Sequence, residues 1–367
     1  MRVVVLSSTY SDPATRGKLR ALAGLGCAVT VGVPDRWLQP GKRRPVRVAW
    51  GDDAGVRVAP IPVRLAGGRS TWSRGAIRRL VTDARPDLVH IEEEPWTVAA
   101  SAGTAAAVSL DLPSVVYMAE SVPRPLPLLD RWRRRRTLRR VAGIVAANQL
   151  AAGLATRDAP AIPAVVLPQL GVAPPVMVER SQHQGLSIGF IGRLVPERGL
   201  DLVFRACVRL LGHWTITVIG TGPAQEELER LAAQLGIAAR VLWLGAVPAA
   251  ERERVWPHLD CVVLPARSTP RWVEATGRPL LEAMARGIAV VGSRSGAIPE
   301  IVADGGLLVP EDDAAALAAA LQRLADHPRE REEFGAAGRR RILADYADDA
   351  LARRTLAFWE SVRKRLT

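Results

Sequence analysis

Short runs of β-branched and other apolar residues alternate along the chain with longer stretches in which apolar and charged positions recur every three or four residues. The first pattern predicts buried strands and the second amphipathic helices. In the first half the strands are expected at 3–6, 28–33, 87–91, 114–118, 143–146 and 165–167, with 46–49 and 56–61 as two more at an edge. In the second half they are expected at 186–191, 215–219, 240–244, 261–264, 288–291 and 307–309. Strands alternating with helices of about 10–15 residues make βαβ units and parallel sheets. The fold class is therefore α/β, with two Rossmann-like, doubly wound domains at 1–170 and 185–346. Between them PQLGVAPPVMVERSQHQ (168–184) has three prolines and no helical period, so 171–184 reads as a linker. The final helical stretch, 347–367, is expected to pack back on the first domain. Doubly wound sheets bind ligands at the carboxyl ends of their strands, which here would face an interdomain cleft.

Composition narrows this picture. A chain of 367 residues suits about two domains, and 48% hydrophobic residues can fill large cores. Cys27, Cys207 and Cys261 are odd in number and lack metal spacing, so they read as small buried apolar groups in a reduced compartment. MRVVVLSS lacks a long apolar core and a cleavage site and reads as a strand. No run of about 18 strongly apolar residues is present; the Ala-rich stretch 97–108 is broken by Ser101, Gly103 and Thr104. A cytoplasmic enzyme is the expectation. The formal charge of +13, mostly from arginine, suits phosphorylated small molecules, polyanions or an anionic membrane, although a coding bias toward arginine gives the same number.

Candidate chemistry begins at WVEATGRPLLEAMARG (272–287), where Glu274 and Glu282 stand eight positions apart around Gly277, Arg278 and Pro279. Proline suits the first helical position, so a helix is expected from Pro279, with Glu282 in its first turn and Glu274 on the preceding loop. Free N–H groups and the macrodipole attract anions to such a helix start. Taken alone, the pattern is explained as well by a Glu282 that complements the dipole and a solvated Glu274. GRLVPERG (192–199) follows an expected strand, and two guanidiniums there, Arg193 and Arg198, can hold a diphosphate bidentately behind the Gly192 turn. GTGP (220–223) lacks the third glycine of a dinucleotide fingerprint, so Gly220 and Gly222 read as a tight turn lining a nucleotide pocket. In ATRGKLRALA (14–23), Gly17 and Lys18 open a helix after the first strand, a position that suits a phosphate or a solvated lysine alike.

GRLVPERG, VIGTGP, LGAVP, EATGRPLLEAMARG and SGAIPEIV occur in the order and spacing of the retaining GT-B glycosyltransferases of family 4, which the chain resembles. The resemblance covers about 186–326 closely and the first domain more loosely, through SSTYSDPATRGKLRALAGLGCAVTV and DLVHIEEEPW. It implies a GT-B fold and transfer of a glycosyl group from a nucleoside diphosphate sugar to an acceptor hydroxyl, with retention and by front-face attack. It further implies that Glu282 holds the donor ribose and Glu274 the donor sugar. Backbone from Ala275 to Arg278 would face the sugar and diphosphate, and Arg193 and Arg198 would stabilise the leaving group, so no metal or other cofactor is needed. Gly17, Gly192, Gly220 and Gly222 complete the expected donor site; Lys18, Glu94 and Glu120 stand on the acceptor side. Three departures bear on this. Arg198 replaces the usual lysine, Thr276 the usual aromatic residue, and Glu120 with Ser121 takes the place of a first-domain histidine. Glu120 can accept a hydrogen bond from a sugar or acceptor hydroxyl, or stand as a surface acid.

The remaining features concern the acceptor. HIEEEPW (90–96) lines that side, with Glu94 nearest Pro95, while Glu92 and Glu93 are equally well read as solvated acids. DRWRRRRTLRR (130–140) carries seven arginines, with Arg133, Arg136 and Arg140 expected on one helix face. A solvated basic face, an anionic membrane surface and an acidic acceptor all fit it; near an anionic leaflet each basic residue contributes about 1 kcal/mol. The expected partners are thus a nucleotide-sugar donor and a sugar, lipid-linked or small-molecule acceptor, with peripheral membrane contact at the inner face as one use of the arginine run. Nucleic acid is not expected, since no reading module accompanies the charge. Two other function classes share the motifs: a GT-B sugar-nucleotide epimerase, and a catalytically degenerate GT-B binding protein.

Overall fold

The computed structural model describes residues 1–37, 45–66, 69–173, 175, 181 and 183–365. The chain forms two compact units, Met1–Gly171 with Asp348–Thr367, and Val172–Ala347.

The first unit is built on an eight-stranded sheet of Arg2–Leu6 (β1), Ala28–Pro34 (β2), Gly51–Asp53 (β3), Val56–Ile61 (β4), Leu88–Ile91 (β5), Ser114–Met118 (β6), Gly143–Ala146 (β7) and Ala164–Val166 (β8). Their order is β8-β7-β6-β5-β1-β2-β4-β3, parallel throughout except for the β3–β4 hairpin. The central strands β5, β6 and β7 are buried on both faces, as burial between helical layers requires. The helix Val98–Val108, N-capped by Thr97, buries seven of its eleven residues, five of them alanine. The expected edge strand at 46–49 is not part of this sheet. Val46–Arg47 pairs with Arg36–Trp37 in a separate ribbon, and the edge is β3, folded back on β4 by Ala54 and Gly55 at φ 52° and 83°. Two adjacent positive φ values match the tight turn whose twist suits a hairpin. β4 accordingly lies inside the sheet, between β2 and β3.

The helix Asp348–Lys364 belongs to this first unit. It packs against the helix Gly17–Gly24, and its Trp359, fully buried, joins Val3, Leu19 and Val145 in the core beneath the sheet. A Cβ at Gly143 would come within 2.9 Å of Val362 Cγ2, so β7 meets the helix without a side chain between them.

The second unit has six parallel strands: Leu186–Ile191 (β9), Trp214–Ile219 (β10), Val241–Gly245 (β11), Cys261–Leu264 (β12), Ala289–Ser293 (β13) and Leu307–Val309 (β14). Their order, β11-β10-β9-β12-β13-β14, starts at the centre, winds to one edge and returns to wind to the other. The reversal between β9 and β12 opens a crevice at the strands' carboxyl ends, and β1 and β5 make the matching reversal in the first unit. The second unit begins with Val172, whose N–H donates to the Tyr346 carbonyl at 3.0 Å. Of the expected linker, 171 closes the first unit, and 174, 176–180 and 182 lie outside the described residues. Cys27, Cys207 and Cys261 are buried, and none of them is in a disulfide. Among the described residues no helix is long and apolar enough to cross a membrane.

Removing a large buried indole leaves a cavity that costs about 3–5 kcal/mol. Trp359→Ala should lower the first unit's unfolding free energy by that amount and move its denaturant midpoint down accordingly, and an unchanged midpoint would mean the helix is not part of the first unit's core.

Candidate active site

In the second unit the site grows out of two turns that leave no room for side chains. β9 runs into Gly192 and β10 into Gly220, and a Cβ at Gly220 would lie 1.8 Å from the Gly192 carbonyl oxygen. Leu194 N–H donates to the Thr221 carbonyl at 3.0 Å, Ala224 N–H donates to the Leu194 carbonyl at 3.1 Å, and a Cβ at Gly222 would meet that same oxygen. The two loops are thus laced backbone to backbone. Arg193 projects from the first of them, exposed, with no partner for its guanidinium among the described residues. Arg198 closes the short 3-10 turn Pro196–Arg198 and is mostly buried.

Glu274 sits 2% exposed, with Oε2 2.9 Å from Arg198 Nη1. Its Oε1 accepts the N–H groups of Gly277 (2.9 Å) and Thr276 (3.2 Å), and the Thr276 hydroxyl stands at 3.3 Å. Trp272 lays its ring beside Arg198, 5.9 Å from centre to guanidinium. The helix Arg278–Ala285 starts one residue earlier than expected, with Gly277 as its N-cap at φ 50°. Glu282 is its fifth residue, past the first turn, which carries no acid. Its oxygens accept from Arg278 Nε at 3.0 Å and from Arg252 Nη1 at 2.8 Å. Glu274, Arg198, Arg193 and the turn glycines therefore gather at the β9/β12 reversal. Glu282 stands one helical turn further on, held by Arg252, which no local motif marks.

In the first unit a charged cluster occupies the carboxyl ends of β1 and β5. Glu92 is buried, 2.8 Å from Lys18 Nζ, and accepts from the Tyr10 hydroxyl at 2.8 Å. Burial alone would raise its pKa, but the Lys18 charge, His90 and the two hydrogen bonds hold it below the usual range. Lys18 is thus neither solvated nor open to a phosphate, because its ammonium is buried against Glu92. At Gly17 a Cβ would come within 2.0 Å of Asp348 Oδ2, so the glycine lets that carboxylate approach the start of the helix. His90 is buried beside Trp359, and burial chiefly lowers its pKa to about 4, so it stays neutral at pH 7. Its ring stands edge-on to Trp359 in the core. Glu93 is half-buried; its carboxylate accepts the Ser8 N–H at 2.6 Å, and burial pushes its pKa up.

Glu94 and Glu120 come together at the end of β6. Glu94 Oε1 accepts the N–H groups of Ala119 (2.7 Å) and Glu120 (2.9 Å), while its Oε2 is buried with no partner. Burial and then the Glu120 charge raise the Glu94 pKa to about 7, against the pull of those two N–H groups and Arg134. Glu120 accepts from Arg134 Nη1 at 2.7 Å through Oε2, and its Oε1 is buried and unpartnered. Arg134 also reaches Asp158 at 2.6 Å. The helix carrying this arginine is Leu128–Leu138, and its phase differs from the expected one. Arg133 pairs with Asp130 at 2.6 Å, so Arg133, Arg136 and Arg140 do not form one free stripe.

A family profile described as "Glycosyl transferase 4-like domain" matches residues 12–169, and one described as "Glycosyl transferases group 1" matches residues 178–341. Over 163 residues the chain is 35% identical to a GDP-mannose-dependent alpha-(1-6)-phosphatidylinositol monomannoside mannosyltransferase of Mycolicibacterium smegmatis, covering 42% of this chain and 43% of that protein. It is 29% identical to the 2-deoxystreptamine glucosyltransferase of Streptomyces kanamyceticus over 94% of this chain and 96% of the relative. Among solved structures, sucrose-phosphate synthase from Thermosynechococcus elongatus superposes with a TM-score of 0.76 at 16% identity, covering 99% of both chains. HepE of Anabaena in complex with UDP-glucose superposes with a TM-score of 0.69 at 16% identity, covering 98% of this chain and 100% of the other. With both of its domains matched in order, the chain belongs to the GT-B glycosyltransferases that join a 4-like first domain to a group 1 second domain.

Proposed function

We propose that the protein transfers a glycosyl group from a nucleoside diphosphate sugar to an acceptor hydroxyl, with retention at the anomeric carbon and without a metal. The observation that carries this reading is the Arg198–Glu274 pair set between the Gly192 turn and the helix start at Gly277. One member suits phosphate oxygens and the other sugar hydroxyls. In the proposed step the acceptor oxygen bonds to the anomeric carbon as its bond to the diphosphate breaks. The acceptor proton passes to the departing phosphate oxygen, and the nucleoside diphosphate leaves as an anion. Such a step needs preorganised positive charge at the leaving group more than a side-chain base. Arg193 and Arg198 supply that charge in this reading, Glu274 holds the donor sugar and Glu282 the ribose. One similar protein is GDP-mannose-dependent and another binds UDP-glucose, which supports the same assignment.

Glu282→Ala should weaken nucleoside diphosphate binding by about 1.5–3 kcal/mol, the value of a hydrogen bond to a charged group. Calorimetry with UDP, GDP, ADP and dTDP would read it, and unchanged affinity for the tightest binder would remove Glu282 from the site. Glu274→Gln keeps an acceptor for the Gly277 N–H but loses the charge. It should abolish transfer while nucleoside diphosphate affinity stays close to the parent's; equal loss of both would make the residue a support for the fold. Turnover should persist in EDTA, and restoration of a lost rate by magnesium or manganese would contradict the metal-free route.

The Glu94 carboxyl gives a pH signature. Its folded pKa, about 7, lies above the unfolded value, so the folded state favours the protonated form. The stability this adds is present in full below about pH 4.5 and is lost as pH rises through about 7. Glu94→Gln should therefore show a melting temperature that gains on the parent's between pH 5 and 8. Parallel curves for the two proteins would show that Glu94 does not titrate there.

A further inference from the structure

Beside Glu120 the first unit holds a cavity of about 950 Å³, walled on one side by the helix Leu128–Leu138 and on the other by residues 154–162. Arg131, Arg135 and Arg139 all line it. Four-residue spacing puts them in one stripe along the helix and its C-cap, and at 1.5 Å per residue the stripe runs about 12 Å. Like charges at that spacing repel, and the dipole at the helix's end offsets only part of this. Among the described residues, none of these three guanidiniums has a partner. The acids within reach are already taken. Asp158 holds Arg134, Glu120 holds it from the other side, and Asp130 holds Arg133. The cavity therefore combines an uncompensated cationic stripe with the buried, unpartnered Oε1 of Glu120.

We propose that this cavity binds the acceptor through a multiply charged phosphate group, held by Arg131, Arg135 and Arg139, with the acceptor's hydroxyl-bearing part toward Glu120. This rests on the transferase reading above. Guanidinium forks match phosphate oxygens bidentately, and three of them over about 12 Å exceed what one carboxylate can satisfy but suit a pyrophosphate or a phosphodiester beside a second anion. Leu126, Leu138, Leu154 and Ile162 supply apolar wall for the carbon skeleton that carries the phosphate. Pockets of this size take small molecules nearly whole. Leu128, 81% exposed, and Trp132, 54% exposed, flank the stripe, so the phosphate can come from a lipid headgroup as well as from a soluble compound.

The test uses inorganic tripolyphosphate as probe, titrated calorimetrically at low salt into the full chain. Its affinity should fall about tenfold or more in R131Q/R135Q/R139Q, and measurably in R135Q alone, which changes one exposed side chain. R74Q/R78Q/R79Q removes the same charge from an exposed helix elsewhere in this unit and should bind as the parent does. Equal affinity in the parent and R131Q/R135Q/R139Q, or equal loss in both triple variants, overturns the proposal. In turnover assays tripolyphosphate should raise the acceptor KM more in the parent than in R131Q/R135Q/R139Q; the same rise in both would place it in the donor site and sink the acceptor assignment. Vesicles of phosphatidylglycerol mixed with phosphatidylcholine decide the source. Cosedimentation displaced by tripolyphosphate identifies a lipid headgroup, and tripolyphosphate binding without cosedimentation a soluble phosphate. If tripolyphosphate binds as expected but no nucleotide sugar is turned over, the transferase reading fails and the anion site stands. If transfer proceeds and tripolyphosphate does not bind, the reverse holds.

Discussion

Glu274 has lost nearly all contact with water, and its surroundings are arranged to make that tolerable. An ionised carboxylate moved out of water costs several kcal/mol even after relaxation. Here the loss is offset by two backbone N–H groups on one oxygen and the Arg198 guanidinium on the other. Each partner then imposes a condition on the chain around it. Gly277 can donate because it takes a left-handed φ as the N-cap of the next helix. Arg198 lies alongside the Gly192 turn, where a Cβ would stand 3.7 Å from its Nη1. The main chain of Glu274 is fixed as well: its carbonyl accepts the Ala297 N–H at 2.7 Å, and only a glycine fits at 296, where a Cβ would lie 2.0 Å from that oxygen. Three loops at the carboxyl ends of β9, β12 and β13 are thereby tied to one residue, two through its side chain and the third through its main-chain carbonyl.

The first unit solves the same problem differently. Glu92 is buried against a lysine, a tyrosine hydroxyl and a neutral histidine, all within the protein. The Glu92 carboxylate is satisfied by Lys18 and Tyr10, while both ring nitrogens of His90 are buried without a hydrogen-bond partner among the described residues. Glu94 and Glu120, a few residues away, each keep a buried oxygen without a partner. The contrast is between a carboxylate whose partners are all internal and two that each keep one oxygen unengaged.

Much of the fold was legible because strands buried on both faces, such as Leu186–Ile191, are continuous apolar runs that survive without any knowledge of partners. The hairpin at Gly51–Asp53 was not, since Ala54 at φ 52° is an unusual turn residue with no strong local signal. In the site, the E-x7-E spacing and the glycine turns could be read from short windows. The Lys18–Glu92 pair, 74 residues apart, could not, because only the β1–β5 pairing brings it together. Nor could the free face of the arginine helix. With arginine at nearly every position, the phase depends on where Asp130, Glu120 and Asp158 stand, and they come from three different segments.

Trp359 enters the first unit's core from a helix whose residues are made only after the whole of the second unit. Domains ordinarily fold in the order of synthesis, N-terminal first. This first unit cannot follow that order to completion, because the surface under β7 that Trp359 and Val362 cover stays uncovered while residues 172–347 are translated. The second unit, an uninterrupted stretch, is free to finish first. During synthesis the chain therefore carries an exposed apolar seam on its oldest part for the time needed to make about 180 further residues, at roughly 5–20 residues per second.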